Sequence, residues 1–344
     1  MKVLTIIIPS YNCAHFLDKC VTSMLCEEVL EELDIIIVND GSKDSTPEVA
    51  QKYCDMFPGS IRLISQENKG HGGALNTGCA AAVGKYIRII DADDWVETAS
   101  LPQFVEILKN CESEVVVTNY YTRDITTGAV KNWRCYPKAF GRAHTFGEVM
   151  EDVKAFDRVL TFHGITYNTK FYQEKGMKLS EHVFYEDQEF ATIPCCFAAS
   201  VLPLDLFIYN YRIGDVTQSV SDANQLKRIG HTETVLRRLI DEYEKLTLPA
   251  EDPAREYFSM KAKVLLLGYM NTVMLAEPDK KKGRAMGDEM MDLFRAKMPR
   301  AYEMAVKQYH VYRMMNLLRV RKASWDKILN SRIYNTLRNN HDFS

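Results

Sequence analysis

The sequence is short of the features that classify a protein at once. Its 344 residues contain no apolar run of transmembrane length, which predicts a protein not integral to a membrane. The N-terminal run Val3-Leu4-Thr5-Ile6-Ile7-Ile8 stops at Pro9 and is too short for a signal segment. Neither sign of charge dominates: 43 Lys and Arg against 46 Asp and Glu give a net charge of -3, which predicts no general affinity for nucleic acid. The nine cysteines form no Cys-x-x-Cys pair and no zinc spacing, so they are expected as buried, reduced thiols of a cytoplasmic protein. No Gly-Lys-Ser/Thr follows the glycine-rich segment, which excludes a phosphate loop of the NTPase kind. Internal repeats and low-complexity tracts are also missing. What remains, at 46% hydrophobic and 26% charged residues, is an ordinary globular composition with room for about two domains.

What is present is a rhythm. Over the first 120 residues short apolar runs alternate with amphipathic ones, the pattern of a parallel sheet covered on both faces. Strands are expected near 3–8, 34–39, 61–65, 85–90 and 114–119, with helices near 14–26, 45–56, 73–82 and 99–110. Ser42 and Asp44-Ser45-Thr46-Pro47 give a strong start signal for the second helix. Residues 120–165 lose the rhythm and predict an antiparallel excursion with a short helix near 146–154. A helix near 186–199 and a strand near 201–209 follow. Beyond about 222 the pattern is helical, with helices near 223–245, 253–276, 283–297, 299–318 and 322–338.

The most informative motif is Asp91-Ala92-Asp93-Asp94, placed where the apolar strand Lys85–Ile90 ends. Open α/β sheets bind ligands at that edge, and clustered carboxylates are costly without a cation. Oxygen ligands favour Mg2+ or Mn2+ sharing its shell with substrate phosphates. An acidic loop in which Asp94 or Thr98 caps the next helix fits the motif equally well. Four further motifs lie at strand ends. Pro9-Ser10-Tyr11-Asn12 offers main-chain groups and an aromatic face. In Asn39-Asp40-Gly41-Ser42-Lys43-Asp44-Ser45, Asp40 is suited to accept from a uracil imide, whereas Asp44 and Ser45 are expected to cap. Lys69-Gly70-His71-Gly72-Gly73-Ala74-Leu75-Asn76 lets backbone approach a diphosphate at a helix start. Glu186-Asp187 opens a helix, either to complement its dipole or to supply a general base.

Taken in order, Pro9-x-Tyr11-Asn12, Asn39-Asp40-Gly41-Ser42-x-Asp44-x-Thr46, Asp91-x-Asp93-Asp94 and Glu186-Asp187 resemble the family 2 inverting glycosyltransferases of GT-A fold, of the bacterial capsule and exopolysaccharide type. The resemblance spans about residues 1–215. It implies a Rossmann-like mixed sheet flanked by helices over residues 1–221, with a nucleotide-sugar donor half at 1–120 and an acceptor half at 121–221, followed by an all-helical region at 222–344. It implies transfer of a sugar from a UDP-sugar to a glycan or lipid-linked acceptor, with inversion to a β-linkage, in polysaccharide biosynthesis. Asp40 would contact uracil, Asp91 the nucleoside, and Asp93 of the DXD motif Mg2+ or Mn2+; Asp187, with Glu186 beside it, would be the catalytic base. Pro9, Tyr11, Asn12, Lys69, Gly72, Asn76, Ala92 and Arg212 complete the expected donor contacts, and Tyr211-Arg212 with Ser219 resembles a closing element.

Two departures stand out. The family's Ala-Arg-Asn is here Ala74-Leu75-Asn76, preceded by an unusual His71-Gly72-Gly73, so the missing Arg role falls to Lys69 or Arg212 if it is filled. The Gln-x-x-Arg-Trp mark of processive synthases is absent. Trp95 and His163 are further candidates for sugar or acceptor contact, each equally explicable as structure. Between 311 and 344 a basic stretch with Trp325, Ile328, Leu329, Ile333, Tyr334 and Leu337 at helical spacing fits either a helix packed on the protein or peripheral contact at the inner face of the cell membrane. Two rival functions remain, a sugar nucleotidyltransferase and a non-catalytic nucleotide-sugar or carbohydrate-binding protein of the same fold.

Overall fold

The computed structural model describes residues 1–214, 222–322 and 324–325. The chain divides into two compact units, Met1–Gln218 with Leu248–Tyr257, and Ser219–Thr247 with Phe258–Ser344.

In the first unit the expected alternation appears as β1 (Leu4–Ser10), α1 (Ala14–Thr22), β2 (Leu33–Asp40), α2 (Thr46–Met56), β3 (Ile61–Gln66), α3 (Gly70–Ala81) and β4 (Tyr86–Ile89). Then come β5 (Trp95–Val96), α4 (Leu101–Asn110), β6 (Val115–Asp124), β7 (Val130–Trp133), β8 (His144–Thr145), α5 (Phe146–Glu151) and α6 (Val153–Phe156). The unit continues with β9 (Ile165–Asn168), α7 (Thr169–Glu174), α8 (Asp187–Thr192) and β10 (Ser200–Ile213). The strands form one sheet in the order β3-β2-β1-β4-β9-β6-β10-β5, with β7 against β6 and β8 against β10.

β1 to β4 are mutually parallel, and β6 is parallel to β10. The sheet is mixed because β9 inserts antiparallel between β4 and β6, a strand the sequence pattern did not predict. β1 and β2 are buried at every position, as continuous β-branched runs require when both faces are covered. Ile6 and Ile8 share a core with Leu17 and Val21 of α1 and Phe104 and Leu108 of α4. Ile7 points the other way, onto α3, where a Cβ at Gly78 would lie 2.4 Å from its Cγ2. Each fully buried Ile or Leu stabilises this sandwich by about 1.5–3 kcal/mol.

Several helices differ from expectation, among them the one expected over 223–245, which breaks at Arg228 into two. Residues 146–154 form α5 and α6, the first opened by a Thr145/Glu148 capping box. The helix expected over 186–199 ends at Thr192, and a short 3-10 turn covers Pro194–Phe197 because proline cannot supply the next helical N–H. The helix expected over 253–276 closes with a π-turn at Thr272–Ala276.

The C-terminal region is helical: α9 (Asp222–Lys227), α10 (Ile229–Lys245), α11 (Pro253–Asn271), α12 (Lys280–Lys297) and α13 (Pro299–Leu317). In the second unit, Gly283 lets α12 close on the π-turn, since a Cβ there would meet the Val273 carbonyl at 2.0 Å. Ser219 and nearly all of the proposed basic helix, residues 326–344, lie outside the described residues. No helix among the described residues is long and apolar enough to cross a membrane.

Candidate active site

The four parallel strands β3, β2, β1 and β4 end on one edge of the sheet, bringing together the turns that follow them. Asp40 closes β2 and is 2% exposed. Its Oδ1 accepts from Gln66 Nε2 at 2.7 Å and from the Lys69 N–H at 2.8 Å, while Asn68 Nδ2 donates to its main-chain oxygen. The turns after β1 and β2 are laced together: the Asn12 N–H donates to Ser42 Oγ, and Asn12 Oδ1 accepts from the Lys43 N–H. Asn12 takes a left-handed φ of 50°, which asparagine tolerates. Tyr11 stands exposed beside it, whereas Pro9 is buried inside β1. Asp44 serves two helix starts, accepting from the Ala14 N–H and the Thr46 N–H, as the capping expectation has it.

The acidic turn after β4 separates its carboxylates. Asp94, 1% exposed, accepts from Tyr209 Oη at 2.5 Å and from the Arg212 N–H at 2.7 Å, so it fastens the turn to β10. Ala92 is buried. Asp91 and Asp93 are half-buried and lie side by side. Burial, then the Asp91 charge, pushes the Asp93 carboxyl up to about 6 against the opposing pull of Arg212, whose Nη1 is 3.9 Å away. The Arg212 side chain also lies over the Phe16 ring.

Helix α3 organises the other wall, and here two expected donor contacts are reassigned. Both ends of the Asn76 amide are engaged by Leu179, its Nδ2 donating to the carbonyl at 2.9 Å and its Oδ1 accepting from the N–H at 2.8 Å. Gly72 makes room for the protein's own chain: a Cβ there would lie 2.2 Å from the Ser180 carbonyl oxygen and 3.0 Å from Glu186 Cγ. The Lys69 carbonyl accepts from the His182 N–H, and buried Glu189 accepts from the Ser180 N–H and Oγ. The glycine-rich segment thus seats residues 179–186 rather than simply opening a phosphate cradle.

His71 was missed by motif reasoning; its only signal was that it departs from the expected pattern. Its Nε2 lies 2.9 Å from Asp91 Oδ1 and its Nδ1 2.5 Å from Glu186 Oε1. Burial opposes a charge on the ring, but the Asp91 and Glu186 carboxylates outweigh it and hold the imidazole well above its ordinary value. Glu186 is 3% exposed, and among the described residues its Oε2 has no hydrogen-bond partner. Asp187 follows at the first turn of α8, its Oδ2 accepting from Gln188 Nε2. Burial, then the neighbouring Glu186 charge, pushes the Asp187 carboxyl up to about 6, in the range of a usable base. Tyr185, just upstream, takes φ 75°, a costly conformation for a bulky residue and one that turns the chain into α8.

His163 stacks on Tyr211 with centroids 4.1 Å apart and meets Tyr209 edge-on. Burial drives its ring down to about 4, against Asp91 and with Arg88, so it is neutral. Arg88, 1% exposed in β4, donates to Thr118, Thr166 and the His163 carbonyl. Trp95 lies in β5 with the Lys19 ammonium 3.0 Å from its ring centroid, so one face is already covered. Trp133 of β7 lies nearly parallel to Tyr120.

Among the described residues, no three His, Cys, Asp or Glu side chains converge on a metal position. The donor set nevertheless suits a hard divalent ion, because Mg2+ or Mn2+ on a diphosphate takes only one or two protein carboxylates. Asp93, raised by burial and by a like charge, is short of positive charge in the way that such an ion corrects.

Residues 5–168 match the family model described as glycosyl transferase family 2. The chain is 31% identical over 222 residues to the putative glycosyltransferase EpsH of Bacillus subtilis, covering 61% of this chain and 60% of that one. It is 26% identical over 219 residues to the glycosyltransferase GlyA of Streptococcus pneumoniae, covering 61% of this chain and 30% of that one. The aligned part is thus between about a third and three-fifths of the length of these relatives. Among solved structures, TarS 1-349 of S. aureus in complex with UDP-GlcNAc superposes with a TM-score of 0.58 at 16% identity, over 93% of both chains, a likeness of fold. The sheet is of the GT-A kind, and residues 5–168 are similar to glycosyl transferase family 2.

Proposed function

We propose that this chain transfers a sugar from a UDP-sugar to a hydroxyl of a saccharide or lipid-linked saccharide, with inversion at the anomeric carbon. The observation that carries the reading is that the two acidic motifs, 91–94 and 186–187, distant in sequence, meet at one imidazole. Asp40 and the turns after β1 and β2 form the nucleoside end, with Asp91 at the ribose side. Asp187 accepts the proton of the acceptor hydroxyl as its oxygen attacks, a role that its raised proton affinity and its place on α8 support. Asp93 is the residue that would hold Mg2+ or Mn2+, and such an ion supplies positive charge against the departing diphosphate. Arg212, 3.9 Å from Asp93, is placed to add a second positive charge on that side. Inversion follows from a single in-line displacement with one base. Polysaccharide assembly is the setting we assign, because the relatives are glycosyltransferases.

Incubation with a panel of UDP- and GDP-sugars and Mn2+, read as nucleoside-diphosphate release and as thermal stabilisation, tests the proposal. A UDP-sugar should raise the melting temperature by mass action and yield UDP. No stabilisation and no release from any member of the panel would remove it.

A further inference from the structure

His71 has no role in the reaction as described, and its geometry demands one. Both ring nitrogens face carboxylate oxygens, at 2.9 Å from Asp91 and 2.5 Å from Glu186. Neutral imidazole donates from one nitrogen only, so this pairing calls for imidazolium, which donates from both. The ring is one-third exposed. The two acids stand on different walls: Asp91 follows β4, and Glu186 opens α8 immediately before Asp187. Glu186 is the member that depends on the ring. It is buried, its Oε2 is unpartnered among the described residues, and its hydrogen bond to His71 is what compensates its charge. Removing one partner of such a pair strands a buried charge, which is far costlier than the pair itself is worth. The neighbouring glycine belongs to the same device, since a side chain at 72 would press on Ser180 and on Glu186 Cγ.

We propose that His71 is a positioning residue that holds Asp91 and Glu186 as one unit and thereby aims Asp187 at the acceptor. With Glu186 tied to the ring, Asp187 is the member of the adjacent pair left to take the proton. The groups that face Asp187 are Glu186 beside it, His71 from α3, Asp91 from the turn after β4 and Tyr211 from β10. The inference rests on the transferase reading for its kinetic consequence but not for its structural one.

The structural arm is a thermal-denaturation cycle of wild type, His71→Ala, Glu186→Gln and the double variant, without any ligand. His71→Ala should lower the melting temperature, and in the Glu186→Gln background the same change should have little effect; equal losses in both backgrounds overturn the strut. The kinetic arm measures UDP affinity by calorimetry with Mn2+, and kcat and KM for transfer. His71→Ala should lose on the order of a hundredfold in kcat, the scale of a misplaced catalytic group. Its UDP affinity should stay within about threefold of wild type. Added imidazole should restore part of the rate, because the ring it replaces is open to solvent. An unchanged kcat, or a loss confined to UDP affinity, overturns the assignment. Wild-type protein that binds no UDP instead fails the donor reading, and the denaturation cycle still decides on the strut.

Discussion

Tyr209 and Asp94, 115 residues apart in sequence, are joined by a hydrogen bond of 2.5 Å between two buried side chains, the tyrosine hydroxyl donating. The same hydroxyl accepts from the Asp91 N–H at 3.3 Å, so one phenol sets the shape of the acidic turn. Tyr209→Phe leaves a buried carboxylate short of a donor and should cost about 1–3 kcal/mol. Chemical denaturation measures it. A stability equal to wild type would show that the turn holds itself.

Asp187→Asn keeps the size of the side chain and removes the proposed base. Transfer should fall by about 10² to 10⁴, the usual worth of general-base assistance, while UDP still binds. Single-turnover transfer alongside calorimetry separates these two effects, and normal turnover in Asp187→Asn would dismiss the assignment.

The raised Asp187 carboxyl gives a pH signature. With its proton lost at about pH 6, kcat/KM for transfer should climb through pH 6 and level off above it. Glu186→Gln takes away the adjacent like charge, so the acid limb should move to lower pH. The linked stability effect has a definite sign. A carboxyl raised in the folded state contributes most below the ordinary carboxylate value and loses that contribution as pH rises through about 6. Melting curves of Asp187→Asn against wild type between pH 4 and 8 should differ most at the alkaline end, in favour of the variant.

Gly72→Ala tests whether the glycine-rich segment serves the protein's own chain. The added methyl would lie 2.2 Å from the Ser180 carbonyl oxygen, so residues 179–186 must shift. Overpacking of this kind costs about 1–3 kcal/mol. Both melting temperature and transfer rate should fall. A variant that loses only diphosphate affinity would return Gly72 to the donor site.

Asp93→Ala should abolish the Mn2+ dependence of UDP binding, read by calorimetry with and without EDTA. Asp94→Asn, by contrast, should leave that dependence in place and lower stability, because Asp94 is committed to Tyr209 and Arg212.

Much of this architecture can be read from the sequence where burial is two-sided. β1, β2 and β4 are buried at every position and rich in β-branched and aromatic residues, and such runs declare themselves. β9 does not. Its four residues, Ile165–Asn168, carry no period long enough to register, and their place between β4 and β6 is set by partners some 50 to 80 residues away. The acidic residues were legible because charge at the end of an apolar strand has few explanations. Asn76 was misread because an amide pointing at a backbone 103 residues on looks in sequence like one pointing at a ligand. His71 is illegible in sequence for the opposite reason: it belongs to no metal-ligand or nucleophile spacing, and only the arrival of Glu186 on the neighbouring wall gives it a purpose.

The place of β10 in the sheet bears on how the protein can be cut. The family match ends at residue 168, yet the proposed base at 187 and the strand that fastens the acidic turn both come later. A fragment stopped at Asn168 would leave one edge of β6 without its longest neighbour and Asp94 without its donors. An exposed edge of ten mostly buried residues is an invitation to self-association. The smallest piece worth expressing therefore runs past Ile213, and the segment that matches the family model is shorter than the unit that must fold.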